Sequence, residues 1–179
     1  VFHVKQSNNF DIIIVGGGHA GIEAAVMSSR LGAKTAIVTF DENDIGTLSC
    51  NPAMGGLGKG HLIREIDAMG GVIGKASDLS GIQFRILNKT RGEAVQGPRA
   101  QIDREKYKKN LKILLDKEEI KYLYDEVLDI VLDESKFQKK IIGLQLKSLG
   151  KVLCKSVIIT TGTFLRGLIH QGSKSWSAG

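Results

Sequence analysis

The stretch from Phe10 to Ala25 constrains this chain more than any other. The run Ile12 to Val15 is β-branched throughout, as suits a strand buried on both faces. It stops at three consecutive glycines, and a helical pattern follows. Gly16, Gly18 and Gly21 have the G-x-G-x-x-G spacing. In that fingerprint the first glycine permits the tight turn out of the strand. The second lets the backbone approach a pyrophosphate, and the third lets the helix pack against the strand. The first turn of the helix then offers free N–H groups and a positive dipole end to phosphates. The spacing alone is a weak signal in a chain with 22 glycines. Its setting gives it weight. A helix over Ile22 to Leu31, with Gly32 as its C′ residue, and a strand over Lys34 to Thr39 complete a β-α-β unit. The bland alternative, a glycine-rich turn without a ligand, fits that context poorly.

Composition narrows the class. With 179 residues the chain is expected to be one domain. Hydrophobic content of 42% and charged content of 25% are ordinary for a soluble globular protein. No apolar run is long enough to cross a membrane, and no secretory signal is visible. The start at Val1 and the end at Ser177-Ala178-Gly179 read as the ends of a piece of something longer. The net charge of +6 is modest, and the lysines are spread along helices and hairpins as solvated faces. RNA contact does not follow from charge alone. Cys50 and Cys154 stand far apart with no C-x-x-C, which argues against a disulfide framework or a metal site.

Along the chain, the fingerprint calls for a ribose ligand about 20 residues beyond its last glycine. Asp41 stands at that register, and Thr39 offers a hydroxyl instead; the choice stays open. Asp44 to Gly60 is rich in glycine but interleaved with Ile45, Leu48, Met54 and Leu57, which predicts an ordered loop that binds something. A helix is expected from His61 to Met69, an extended segment over Val72 to Lys75 and a loop over Ser77 to Gly81. Gln83 to Asn88 reads as a strand with Phe84 and Ile86 inward, and residues 89–98 as a polar turn. A helix over Asp103 to Asp116 puts Tyr107, Leu111, Leu114 and Leu115 on one face. Short strands follow at Lys121–Tyr124, Val127–Leu132, Ile141–Leu146 and Val152–Cys154. An apolar strand from Val157 then ends at Thr161-Gly162. This is a β-meander followed by a strand ending in threonine-glycine, the crossover used by flavin-binding variants of the doubly wound fold. The expected class is therefore α/β: a Rossmann-like FAD/NAD(P)-binding domain of three layers, a parallel sheet with a β-meander crossover, incomplete. In that architecture the opening strand of the meander lies beside the adenine, which places a backbone contact near Val127.

Cys50, beside Asn51-Pro52, is a candidate nucleophile that Lys59 or a helix start at His61 would activate; a small buried hydrophobe is the alternative. Cys154 lies in an apolar strand and reads as structural. His19 sits inside the phosphate turn and is expected to meet the cofactor through its backbone, its ring facing elsewhere. Arg85, Arg91, Arg99 and Arg104 form either a phosphate- or RNA-facing group or a set of surface salt bridges, with equal weight.

Five stretches together carry a resemblance. They are Gly16 to Ala25, Cys50 to Leu62, Gln83 to Asn88, Arg99 to Arg104 and Gly162 to Gly167. They resemble the GidA or MnmG family, flavoproteins that modify tRNA uridine with a carboxymethylaminomethyl group, over nearly the whole chain from Phe10 onward. The resemblance implies an FAD enzyme of the cytoplasm, or of a mitochondrion or other organelle in a eukaryote. It implies a homodimer that works with the GTPase MnmE on the wobble uridine of certain tRNAs. Methylene-tetrahydrofolate would supply the carbon, FAD and NADH the reducing power, and glycine or ammonium the amine. Gly16, Gly17, Gly18, His19, Ala20 and Gly21 would bind FAD, Val127 would contact it, and Cys50 would match one of two family cysteines that add to the uracil ring. Residues 1–179 would be the N-terminal part of a single FAD-binding domain, lacking the NADH-binding insertion and the C-terminal helical region. Such a piece is expected to be inactive alone. Two other readings compete: a flavin oxidoreductase acting on small molecules, and a non-catalytic dinucleotide-binding module.

Overall fold

The structure is a computed structural model that describes residues 9–49, 51–133, 135, 138–163, 165 and 167–178. In chain order the elements are β1 (Asn9–Val15), α1 (His19–Arg30), β2 (Thr35–Thr39), β3 (Ala53–Gly55), α2 (Lys59–Ala68), α3 (Ile73–Ser80), β4 (Gly81–Leu87), β5 (Gly97–Ile102), α4 (Arg104–Leu115), β6 (Ile120–Tyr124), β7 (Val127–Asp133), β8 (Lys140–Leu146), β9 (Gly150–Ile159), β10 (Gly167–Gln171) and β11 (Lys174–Ala178). Short 3-10 turns lie at Glu42–Asp44 and Glu93–Val95. Among the described residues no helix is long and apolar enough to cross a membrane.

The principal sheet has the order β6-β2-β1-β9-β8-β7. β6, β2, β1 and the second half of β9 are parallel, while β7, β8 and the first half of β9 form an antiparallel meander. Side-chain alternation separates two cores. Ile13, Ala36 and Val38 meet Leu144, Leu146, Val152 and Cys154 of the meander. Ile14 and Ile37 meet Ala25 on the helical side. A third cluster joins α1, α3, α4 and β5 through Ile22, Val26, Ile73, Ala76, Ile102, Tyr107 and Leu111. The result is three layers: helices, parallel sheet and meander. Full burial of Ile13, Ile14 and Ile37 contributes roughly 1.5–3 kcal/mol per side chain.

Several expectations hold as they stand. α1 ends in a Schellman motif: Gly32 has φ 81°, its N–H donates to Ser29, and Ala33 N–H donates to Ser28. α4 buries Tyr107, Leu111 and Leu115, with Leu114 packed beside them. Cys154 is buried, and that burial raises its thiol pKa.

Others need correction. Residues 73–80 are not an extension and a loop but the helix α3. Its buried residues Ile73, Ala76, Ser77 and Ser80 recur at helical spacing. Its cap is remote: the Glu23 carboxylate accepts from Val72 N–H at 3.0 Å and from Ile73 N–H at 2.7 Å. No nearby residue announces that start. Residues 97 and 98, expected to close the polar turn, instead open strand β5, which is paired on both sides by β3 and β4. The meander's last strand and the strand after it are one continuous β9. Leu153 is the hinge position, paired with Gly143 of β8 and with Asn9 of β1. Phe84 and Ile86 are not inward; they stay 60% and 54% exposed. They share a face with the buried Ala100, but β4 is the outer strand of the β3-β5-β4 sheet and reaches past the helices.

Candidate functional site

The glycine turn is built from three strand ends. Gly16 N–H donates to Val38 of β2, and Thr160 N–H donates to Val15 of β1. The Thr160 hydroxyl donates to the Val15 carbonyl at 2.9 Å, and the Gly16 carbonyl lies 3.3 Å from it. This locks the turn against the end of β9. Gly16 has φ 110°, and a Cβ there would lie 2.5 Å from the Thr160 carbonyl oxygen. A Cβ at Gly21 would collide with the Gly16 carbonyl and crowd the Thr160 hydroxyl at 2.8 Å. Gly16 and Gly21 are therefore required by packing alone.

Gly18 differs. Its φ is −72° and ψ −179°, ordinary extended backbone, and a Cβ there would meet nothing within 4 Å. The protein's own packing does not call for glycine at this position. An external group that must approach the backbone does. Gly18 is also the N-cap of α1, and no side chain caps that helix. The N–H groups of its first turn face the same opening, with the positive end of the helix dipole behind them. The structure thus fits a pyrophosphate: close approach is free at the one glycine of the G-x-G-x-x-G turn that packing leaves unexplained.

His19, the first residue of α1, turns its ring inward, toward Tyr107 of α4. It lies 5.8 Å, centroid to centroid, from the Tyr107 ring. The His19 Nε2 and the Tyr107 hydroxyl are buried without a partner among the described residues. Burial, aided by the positive charge of Lys59 at the start of α2, lowers the His19 pKa to about 4. The ring is therefore neutral near pH 7 and adds no charge to the turn. Burial also raises the Tyr107 pKa, with the Glu23 charge acting in the same direction.

At the end of β2, the Thr39 hydroxyl lies against Gly17, 3.1 Å from where a Cβ would stand. Asp125 N–H donates to the Thr39 carbonyl, so the chain enters β7 at the rim of the glycine turn. Val127, two residues on, opens β7 and packs partly buried on the meander core. Asp125 is held there by its own carboxylate, which accepts from the N–H groups of Glu126, Ser148 and Leu149. Asp41 caps the 3-10 turn, its Oδ1 accepting from Asn43 N–H at 2.7 Å. Cys50 lies outside the described residues. The chain after it is placed: Pro52 accepts from Ile102 N–H, and Ala53 pairs with Gln101. Among the four arginines, Arg85 and Arg99 come together as cross-strand partners, while Arg91 and Arg104 stand elsewhere.

The roles of Thr160 and Glu23 were not foreseen from the sequence. The threonine-glycine end of the last strand was a partial signal for the first. Glu23 carries none, since its partners lie 49 and 50 residues away.

A β-α-β unit with this turn, inside a helix–sheet–meander sandwich, defines a dinucleotide-binding domain of the doubly wound class. The sequence profile described as "Glucose inhibited division protein A" matches residues 11–179, and the chain belongs to that family. It is 48% identical over 171 residues to the "tRNA uridine 5-carboxymethylaminomethyl modification enzyme MnmG" of Sulfurihydrogenibium sp. (strain YO3AOP1), covering 95% of this chain and 27% of that protein. It is 45% identical over 168 residues to the protein of the same name from Aquifex aeolicus (strain VF5), covering 93% and 27%. The crystal structure of Aquifex aeolicus GidA in its form II superposes with a TM-score of 0.85 at 43% identity, over 98% of this chain and 28% of that one. The chain thus spans about a quarter of the length of these relatives. A likeness of fold alone extends to glycine oxidase from Bacillus cereus, at a TM-score of 0.56 and 20% identity, over 87% of this chain and 57% of that one.

Proposed function

We propose that residues 1–179 are the N-terminal part of the FAD-binding domain of a tRNA-modifying enzyme. The whole protein, a homodimer acting with the GTPase MnmE, would install an aminomethyl or carboxymethylaminomethyl group at C5 of the wobble uridine of certain tRNAs. It would do so in the cytoplasm, or in a mitochondrion or other organelle of a eukaryote. NADH and methylene-tetrahydrofolate would be its co-substrates. The open space at Gly18 carries the local part of this reading, because a glycine that packing does not require is explained by a phosphate.

Gly16, Gly17, Gly18, His19, Ala20 and Gly21 would hold the FAD pyrophosphate through backbone N–H groups and the helix dipole. Thr160 keeps that turn rigid. The backbone at Val127 would face the adenine, and Asp41 or Thr39 would hold the ribose. FAD, when bound, supplies the redox chemistry that the side chains lack. Cys50 would add to the uracil ring as a nucleophile, which makes C5 carbanion-like and able to attack an electrophilic carbon.

The test uses the full-length protein. It should purify with flavin absorbance that bleaches on NADH. Cys50→Ser should keep the flavin and abolish wobble-uridine modification, read by mass spectrometry of tRNA nucleosides. Full activity in that variant would make Cys50 structural and remove the nucleophile from this scheme. A protein that holds flavin and oxidises NADH but never modifies tRNA would favour the small-molecule oxidoreductase instead.

A further inference from the structure

Arg85 of β4 and Arg99 of β5 stand directly opposite each other in an antiparallel pair. Residues so placed share a face, with Cβ atoms about 5 Å apart, and like charges there weaken the sheet. A structural arginine pair would be expected to share a carboxylate. Among the described residues neither guanidinium has an ion pair or a side-chain hydrogen bond. The next pair on the same face is Gln83 opposite Gln101, and Leu87 closes one end. These five side chains line a shallow depression of about 180 Å³. It carries two guanidinium groups, two carboxamides and no carboxylate.

The third strand flanks the depression. Gly55 of β3 pairs with Arg99, and Ala53 pairs with Gln101. Gly55 has φ 99°, and a side chain there would run into the Pro98 carbonyl. The strand beside Arg99 is therefore bare, and it begins three residues after Cys50. Unneutralised repulsion between two arginines is a standing cost that an anion would remove, and two guanidinium groups lining one depression suit the oxygens of a phosphate.

We infer that this sheet face is a phosphate subsite for the RNA strand, in which Arg85 and Arg99 together clamp one phosphodiester. Gln83 and Gln101 supply hydrogen-bonding groups that suit the adjoining sugar or base edge. An acidic protein surface would satisfy the arginines but would make less use of the carboxamides. The inference rests on the reading of the whole protein as a tRNA-modifying enzyme.

The experiment measures substrate tRNA binding by full-length protein at several salt concentrations. The proteins are wild type, Arg85→Gln, Arg99→Gln, the double variant and Arg85→Lys. Each single Gln variant is expected to weaken binding about tenfold. The double variant should lose little more than either single one, since both serve one phosphate. The slope of log K against log salt should fall by about 0.7, one single-strand phosphate contact. Arg85→Lys should recover part of the affinity. Flavin content should be unchanged and the melting temperature equal or higher, because the variants relieve like-charge repulsion. A double variant that folds, holds flavin and binds tRNA with wild-type affinity and slope would overturn the subsite and leave the enzymatic reading intact. Loss of MnmE binding with tRNA binding untouched would overturn it in favour of a protein contact. Absence of tRNA binding by the wild type would overturn the enzymatic reading itself.

Discussion

Gly18 and Gly21 give opposite expectations for the same substitution. Gly21→Ala forces a methyl group into the Gly16 carbonyl and the Thr160 hydroxyl. Backbone cannot yield there cheaply, so destabilisation of about 3 kcal/mol is expected, together with loss of FAD. Gly18→Ala puts a methyl group into open space on a backbone that alanine adopts freely. It should cost the flavin-free protein no more than about 1 kcal/mol, the difference between glycine and alanine at an N-cap, while cutting FAD affinity. Urea denaturation and flavin titration on both variants check this. Equal stability losses would mean that Gly18 is a packing glycine after all.

At the scale of elements, α3 depends on a single remote carboxylate. Glu23 projects from α1 and satisfies the N–H groups of Val72 and Ile73 in a buried setting. Glu23→Ala would leave those donors unpaired, at a cost of about 2–4 kcal/mol. Glu23→Gln keeps an acceptor oxygen and should lose less. Amide hydrogen exchange at Ala76 and Ser77 is the direct readout, because fraying of α3 should speed it before global unfolding does. The same logic explains why α3 was illegible in the sequence. Lys75, Ser77 and Asp78 look like loop residues until a cap from another helix is supplied. By contrast, α1 carries its own stop signal at Gly32, and α4 carries its own cap, the Asp103 carboxylate accepting from Lys106 N–H. Both were legible because their determinants are local.

For the whole molecule, acid sensitivity has an identifiable source. His19 has a folded pKa of about 4 against an ordinary value of 6.5. As pH falls below 6.5 the unfolded chain takes up a proton that the folded one refuses, so stability is lost progressively down to about pH 4. Each unit of that gap is worth about 1.4 kcal/mol. Asp11 and Asp125 give way only lower. Hydrogen bonds from Lys155 and the Lys34 N–H hold the first below its ordinary 3.8. For Asp125, burial opposes ionisation, but the N–H groups of Leu149, Glu126 and Ser148 outweigh it. Replacing His19 by Asn should flatten the urea midpoint between pH 6.5 and 4 and leave the steeper fall below. A midpoint that still declines in that window would assign the effect to another group.

The sequence by itself determined the β-α-β frame, the C-terminal stop of α1, the apolar face of α4 and the meander, because each is written in local periodicity, turn chemistry or capping. It also singled out Gly16, Gly18 and Gly21, and the fingerprint assigned the first to the turn, the second to a phosphate and the third to packing. The tertiary structure supplied the contacts behind that division, since what stands across from each Cβ is backbone at Gly16 and Gly21 and open space at Gly18. The structure likewise decided that β9 is one strand serving two sheets' worth of partners, that β4 hangs outside the core, and that two arginines among four meet. These are matters of register between distant segments, and a pairing between residues far apart in the chain leaves no mark in either segment alone.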